Sequence, residues 1–187
     1  LKFWGGTQSR LILKIERKMY PTIVQDNFFD NVDEIIKFSK TLKFYKPEKK
    51  DNWFGLRTKS IHEYDFVLFK NIVSKVLNLY HPNTKLNFDN TIVTFTKQKY
   101  KDKCKNKWHR DHDCKIAAVI YLSEGDIKGG TTIFDDYNKK QVIVGNSFNS
   151  MVAYDGNKLH GFTSLSSFKN KERLTMNVFI GDVKNDY

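Results

Sequence analysis

From residue 91 onward the sequence is a succession of short β-type runs separated by turn residues. The runs are Thr91 to Thr96, Ile116 to Leu122, Thr131 to Phe134, Gln141 to Val144, Met151 to Tyr154 and Leu174 to Ile180. Between them stand Gly129-Gly130, Asp135-Asp136-Tyr137-Asn138, Gly145-Asn146 and Asp155-Gly156-Asn157. Gly, Asn and Asp are the residues that accept the backbone angles of tight turns. Many short strands at this spacing predict an antiparallel sandwich or jelly roll.

The first half reads differently. Arg10 to Glu16 alternates like a strand, and Thr22-Ile23-Val24 ahead of Asn27-Phe28-Phe29 predicts another. Asn31 is placed to cap a helix running to about Leu42, with Val32, Ile35, Ile36 and Phe38 as its apolar face. From Glu63 to Tyr80, Phe66, Phe69, Ile72, Val73, Val76, Leu77 and Tyr80 recur at helical spacing, and His81-Pro82-Asn83 ends that helix. Helices first and strands afterwards predict a mainly β fold with supporting N-terminal helices packed on the outside of a sheet. At 187 residues the chain fits one domain, residues 1–187, with helical support over about 1–90 and a β core over about 91–187. Only 2 Cys are present, which excludes a disulfide scaffold, and no apolar run approaches the roughly 20 residues of a membrane span. Leu1-Lys2-Phe3-Trp4-Gly5-Gly6 lacks the pattern of a signal peptide, so a reducing, cytoplasmic setting is expected.

The reactive side chains concentrate in Trp108-His109-Arg110-Asp111-His112-Asp113. In an extended chain, residues two apart project to one side, so His109 and Asp111 can share a metal ion. A second imidazole must come from elsewhere, and His160, in Asn157-Lys158-Leu159-His160-Gly161 on a turn after a strand, is the candidate. Two His and one carboxylate on one face of an octahedral ion leave three positions open, as in non-haem Fe(II) oxygenases. His-x-Asp alone is a weak signal, more often met as a pair of solvated loop residues. His112 projects away from His109, whereas Asp113 shares its side one pleat farther on and is the competing carboxylate. Arg173 opens the apolar strand Arg173-Leu174-Thr175-Met176-Asn177-Val178-Phe179-Ile180. A guanidinium there is costly unless paired, and no carboxylate is its obvious local partner. An anionic ligand would satisfy it, and a planar fork suits a carboxylate held bidentately.

In this order and spacing the residues resemble the 2-oxoglutarate- and Fe(II)-dependent dioxygenase superfamily, particularly its prolyl-4-hydroxylase-like branch. The matching pieces are His109-x-Asp111, Gly129-Gly130-Thr131-Thr132-Ile133-Phe134, Val152-Ala153-Tyr154-Asp155 through His160-Gly161, and Arg173-Leu174-Thr175. Tyr20 to Phe29, the following helix and Trp53-Phe54-Gly55-Leu56-Arg57-Thr58 also look like small members of that group. The resemblance implies a double-stranded β-helix, the cupin-like form of the jelly roll. It implies Fe(II) on His109, Asp111 and His160, with 2-oxoglutarate and O2 as co-substrates and ascorbate as a supporting reductant. It implies that Arg173 pairs with the distal carboxylate of 2-oxoglutarate, supported by Thr175 and Tyr100, with Tyr121 as a further residue of that pocket. Oxidative decarboxylation would release succinate and CO2 while a C–H bond is hydroxylated. Asp111 favours hydroxylation, because halogenating relatives lack that carboxylate.

The substrate itself is not legible: a protein or peptide side chain, prolyl or other, and a small molecule both fit. Trp53, Phe54 and Arg57 either cover the mouth of the site or simply pack. The net charge of +11 invites nucleic acid, and an AlkB-like demethylase is the second reading. That branch carries a longer Arg/Asn-rich signature than Arg173-Leu174-Thr175-Met176-Asn177, so nucleic acid is not the favoured partner. A non-catalytic jelly-roll metal-binding module is the third. Lys97, Lys99, Lys101, Lys103, Lys105 and Lys107 stand at every second position. In an unbroken strand they would share a face with His109 and turn Tyr100 away, so a loop or bulge must intervene if both Tyr100 and His109 face the iron. The run reads first as a solvated face and second as a rim attracting acidic substrates.

Overall fold

The computed structural model describes residues 19–49, 51, 53–82, 90–102, 108–135 and 140–183. The expected strand Arg10 to Glu16 lies outside the described residues, as do residues 103–107 of the lysine run. Along the chain run β1 (Ile23–Gln25), α1 (Val32–Thr41), β2 (Phe44–Tyr45), β3 (Leu56–Thr58), α2 (Phe66–Asn78), β4 (Thr91–Lys99) and β5 (Ile116–Tyr121). They are followed by β6 (Thr131–Asp135), β7 (Lys140–Val144), β8 (Met151–Asp155), β9 (His160–Phe162) and β10 (Glu172–Ile180).

Both helices form where apolar spacing predicts them, with differences at their starts. Asn31 precedes α1, but its side-chain amide donates to Glu34 Oε2, 2.7 Å, instead of capping the backbone. α2 begins at Phe66 and not at Glu63. There the Asp65 side chain accepts from Leu68 N, 2.8 Å, and Ile61–Glu63 forms a separate 3-10 turn. Phe69, Ile72, Val73, Val76 and Leu77 of α2 are buried, the i, i+3, i+4, i+7, i+8 stripe of a helix lying on a sheet.

A seven-stranded sheet has the order β1-β8-β5-β10-β4-β3-β2, and a three-stranded sheet the order β7-β6-β9. Every pairing is antiparallel. The N-terminal strands β1 and β2 take the two edges of the large sheet, so the first part of the chain supplies strands as well as helices. Alternation along β5, β8 and β10 splits the sheet into two faces. Ile116, Ala118, Ile120, Met151, Ala153, Met176, Val178 and Ile180 meet the helices, together with Phe28 and Ile61. Each fully buried Ile or Phe of this layer contributes about 1.5–3 kcal/mol. On the other face Ala117, Tyr121, Val152 and Tyr154 pack against Ile133 and Val144 of the small sheet. Two antiparallel sheets face to face, with helices on the back of the larger, make the jelly roll.

Two local devices bring the N-terminal segment onto this frame. Gly55 has φ of 84°, and a Cβ there would stand 2.3 Å from the Lys97 carbonyl, so only glycine lets β3 begin so close to β4. Asn149, with φ of 57°, is the other. Its side-chain oxygen accepts from Phe29 N, 2.9 Å, and its amide donates to Phe29 O, 2.8 Å.

Candidate metal centre

The His109 segment is tied to β9 in the manner of a short strand. His109 N donates to His160 O at 3.0 Å, His160 N donates to His109 O at 2.9 Å, and Asp111 N donates to Gly156 O at 2.8 Å. Arg110 donates to Asn157 O, and the Trp108 ring meets Phe134 edge-on at 4.8 Å. His160 is therefore the first residue of β9, paired with Ile133 of β6 on its other side, and not part of a turn.

This backbone brings His109, Asp111 and His160 together, with one ligand atom of each within 4.8 Å of the others. His109 Nε2 lies 3.7 Å from Asp111 Oδ1, and His160 Nε2 lies 3.3 Å from Asp111 Oδ2. His160 Nδ1 is 2.8 Å from the Lys158 carbonyl, which can only accept, so that nitrogen carries the proton. In the neutral ring Nε2 then presents a bare lone pair. That nitrogen faces the buried Asp111 Oδ2, and in the protonated ring it pairs with the carboxylate instead. Burial by itself pushes the Asp111 carboxyl up, but His160, His109 and the Arg57 charge outweigh it and hold the group below its usual value. His112 and Asp113, the competing candidates, are exposed and take no part in the cluster.

The cluster opens on a cavity of about 300 Å³ between the sheets. Arg173, 4% exposed, reaches it from the start of β10. Its Nε donates to Gly129 O at 2.9 Å, its Nη1 to Gln98 Oε1 at 2.6 Å, and the guanidinium lies 5.5 Å from the Tyr121 ring. No carboxylate pairs with it among the described residues, and burial lowers its pKa. Tyr121 and Thr175 stand opposite one another in the β5–β10 register, both fully buried and neither lining the cavity. The Tyr121 hydroxyl donates to Thr131 Oγ1 at 2.7 Å, and Thr131 does line it. Thr175 Oγ1 has no hydrogen-bond partner.

Tyr100 is 49% exposed and outside the cavity. β4 stops at Lys99, where Lys99 N donates to Asp102 Oδ2 at 2.7 Å and Asp102 N donates to Lys99 O at 2.9 Å, and this turn carries Tyr100 off the strand. Of the described β4 residues, Gln98 is the one that lines the cavity. A polar residue two places beyond Thr96 on the same side of the strand is the signal in the sequence for it. Trp53, Phe54 and Arg57 all line the cavity, with Phe54 against Phe162 at 5.0 Å.

By sequence, no protein-family model and no curated protein matches the chain. Solved structures do. A 2OG-Fe(II) oxygenase family oxidoreductase from Burkholderia pseudomallei superposes with a TM-score of 0.64 at 9% identity, over 89% of this chain and 88% of that one. The non-heme alpha ketoglutarate dependent epimerase SnoN of nogalamycin biosynthesis gives 0.62 at 9%, over 84% and 76%. A Pseudomonas putida prolyl-4-hydroxylase gives 0.56 at 13%, over 87% and 93%. The two facing sheets with helices behind them are thus the fold of the 2-oxoglutarate–Fe(II) oxygenases, prolyl-4-hydroxylases among them.

Proposed function

We propose that the chain is an Fe(II)- and 2-oxoglutarate-dependent oxygenase that hydroxylates a C–H bond of its substrate, in the manner of a prolyl hydroxylase. The observation that carries this reading is the convergence of three ligand atoms on one point beside the cavity. His109 Nε2 lies 3.7 Å and His160 Nε2 3.3 Å from the two Asp111 oxygens, while His160 Nδ1 is engaged by the Lys158 carbonyl and so leaves Nε2 to face the site. Two neutral imidazoles and one carboxylate form a donor set that fits Fe(II) and leaves positions open. His109, Asp111 and His160 would hold the ion.

Arg173 would receive the distal carboxylate of 2-oxoglutarate. Gly129 and Gln98 occupy Nε and Nη1 and so fix the plane of the fork without neutralising its charge. The second Nη1 N–H and both N–H groups of Nη2 make no hydrogen bond among the described residues and are left for a ligand. Tyr121 holds Thr131 in place on the wall of the same pocket, and Thr175 brings a hydroxyl one pleat farther along β10. Iron held there with 2-oxoglutarate and O2 would supply the oxidation, with one oxygen atom of O2 going to the substrate, the other to succinate, and CO2 released. Ala117, Val119, Phe162 and Phe179 give the cavity apolar walls that keep water from the reacting groups. The substrate enters on the side of His109, whose side chain is 43% exposed against 5% for His160.

The test is succinate formation from 2-oxoglutarate with Fe(II) and O2. The parent protein is expected to turn over and His109→Ala to fall to background. Equal turnover in both would remove the reading.

A further inference from the structure

The cavity holds a second guanidinium that the chemistry above leaves unused. On β4, Arg57 of β3 stands opposite Thr96 and Arg173 of β10 stands opposite Gln98. Opposed residues share a face, as do residues two apart on one strand, so both arginines project from the same face of the large sheet. β3 and β10 flank β4, which separates their backbones by roughly 10 Å.

The two side chains are also prepared differently. Arg173 is tethered through two of its nitrogens. Arg57 Nε is buried and has no hydrogen-bond partner. The Arg57 guanidinium lies 4.7 Å from the Trp53 ring centroid and 5.7 Å from that of Phe179, both on the cavity wall. Stacking on aromatic faces orients the plane but satisfies none of its N–H groups. Burial lowers the group to about 10, with Asp111 and Asp51 the acidic groups acting against that shift. It is therefore charged at neutral pH.

Loading the metal centre would take away the larger compensation. The two charges of iron and the one of Arg173 are matched by Asp111 and the two carboxylates of 2-oxoglutarate. Among the described residues Arg57 then keeps only the lesser influence of Asp51, whose Oδ2 already accepts from Glu48 N, so the buried guanidinium is left largely uncompensated. We propose that Arg57 anchors the substrate, and that the substrate carries an anionic oxyacid group, a carboxylate or a phosphate, received by the Arg57 fork between Trp53 and Phe179. This rests on the oxygenase reading and adds the substrate's chemical class to it. The lysine run does not supply this charge in its described part. Alternation turns Lys97 and Lys99 away from the side of Gln98, and they engage the Phe44 ring and Glu172 respectively.

The test uses protein loaded with Mn(II) and N-oxalylglycine, the non-reactive analogue of 2-oxoglutarate, with calorimetry to verify loading of each sample. Fluorine relaxation is then followed for trifluoroacetate, monofluorophosphate and the neutral trifluoroacetamide. At least one of the two anions is expected to bind saturably to the parent and about tenfold more weakly to Arg57→Gln. Arg57→Lys, which keeps the charge but not the fork, is expected to fall between them. Trifluoroacetamide is expected to show no dependence on residue 57. The anion that responds distinguishes a carboxylate from a phosphate substrate. Anion binding that survives in both variants, or equal binding of the neutral probe, would overturn the proposal. Loss of N-oxalylglycine binding in Arg57→Gln but not in Arg173→Gln would also overturn it, by making Arg57 the co-substrate anchor. Failure of the parent to bind Mn(II) and N-oxalylglycine at all would instead remove the oxygenase reading.

Discussion

Gln98 governs how Arg173 is presented. It is 8% exposed and accepts from Arg173 Nη1 at 2.6 Å, holding the guanidinium without taking its charge. A Gln98→Leu change leaves a buried donor unpaired and the fork free to turn. It is expected to raise the KM for 2-oxoglutarate about tenfold while kcat stays within about twofold, read from initial rates of succinate formation. Gln98→Glu is expected to raise KM further, because an ion pair with Arg173 competes with the ligand's carboxylate. An unchanged KM in both variants would show that Gln98 does not set the orientation. The difference between Gln98 and Tyr100 also shows what a sequence displays at this scale. His109, Asp111, His160 and Arg173 are legible because each residue type is chemically unusual where it stands. Whether Tyr100 or Gln98 meets the cavity depends on where β4 ends, and that is decided by the Asp102 turn. Arg57 could be noticed in the sequence, but its buried, unpaired Nε is a consequence of tertiary packing.

At the level of elements, long periodic segments are readable and short ones are not. α2 and the strands β4, β5, β8 and β10 carry enough repeats for their apolar phase to be counted. β2, β3 and β9 have only two or three residues, below any period, and exist because neighbours offer them hydrogen bonds. β9 matters most, since it carries His160 and is fixed between β6 and the bridge to His109. The docking of the N-terminal segment likewise uses residues remote in sequence: β1 pairs with β8, and Asn149 holds Phe29. Asn149→Ala removes both bonds to Phe29 and places alanine at a φ of 57°. The expected loss is about 2–3 kcal/mol in urea unfolding, and a change below about 0.5 kcal/mol would show that Phe29 is held by other contacts.

Across the whole molecule, the large sheet divides the work. One face is apolar and closes on α1 and α2, so stability resides there. The other carries Arg57, Gln98, Arg173 and Asn177 into the space before the metal centre. Among the described residues, Arg57 and Arg173 are the only Lys or Arg side chains lining the cavity, so the net charge of +11 does not enter that division there. Sequence periodicity could foresee sandwiched sheets with helices behind them, since alternation reports which residues turn inward. It could not foresee that β1 and β2 would close the two edges, because strand order is set by long-range pairing. The central claim, that the inner face supports an oxygenase, is tested most directly by running the reaction under ¹⁸O₂ and weighing the succinate. One ¹⁸O atom per succinate is expected from the parent protein, and no succinate above background from Asp111→Ala. Succinate without label, or equal labelled succinate from both proteins, would contradict it.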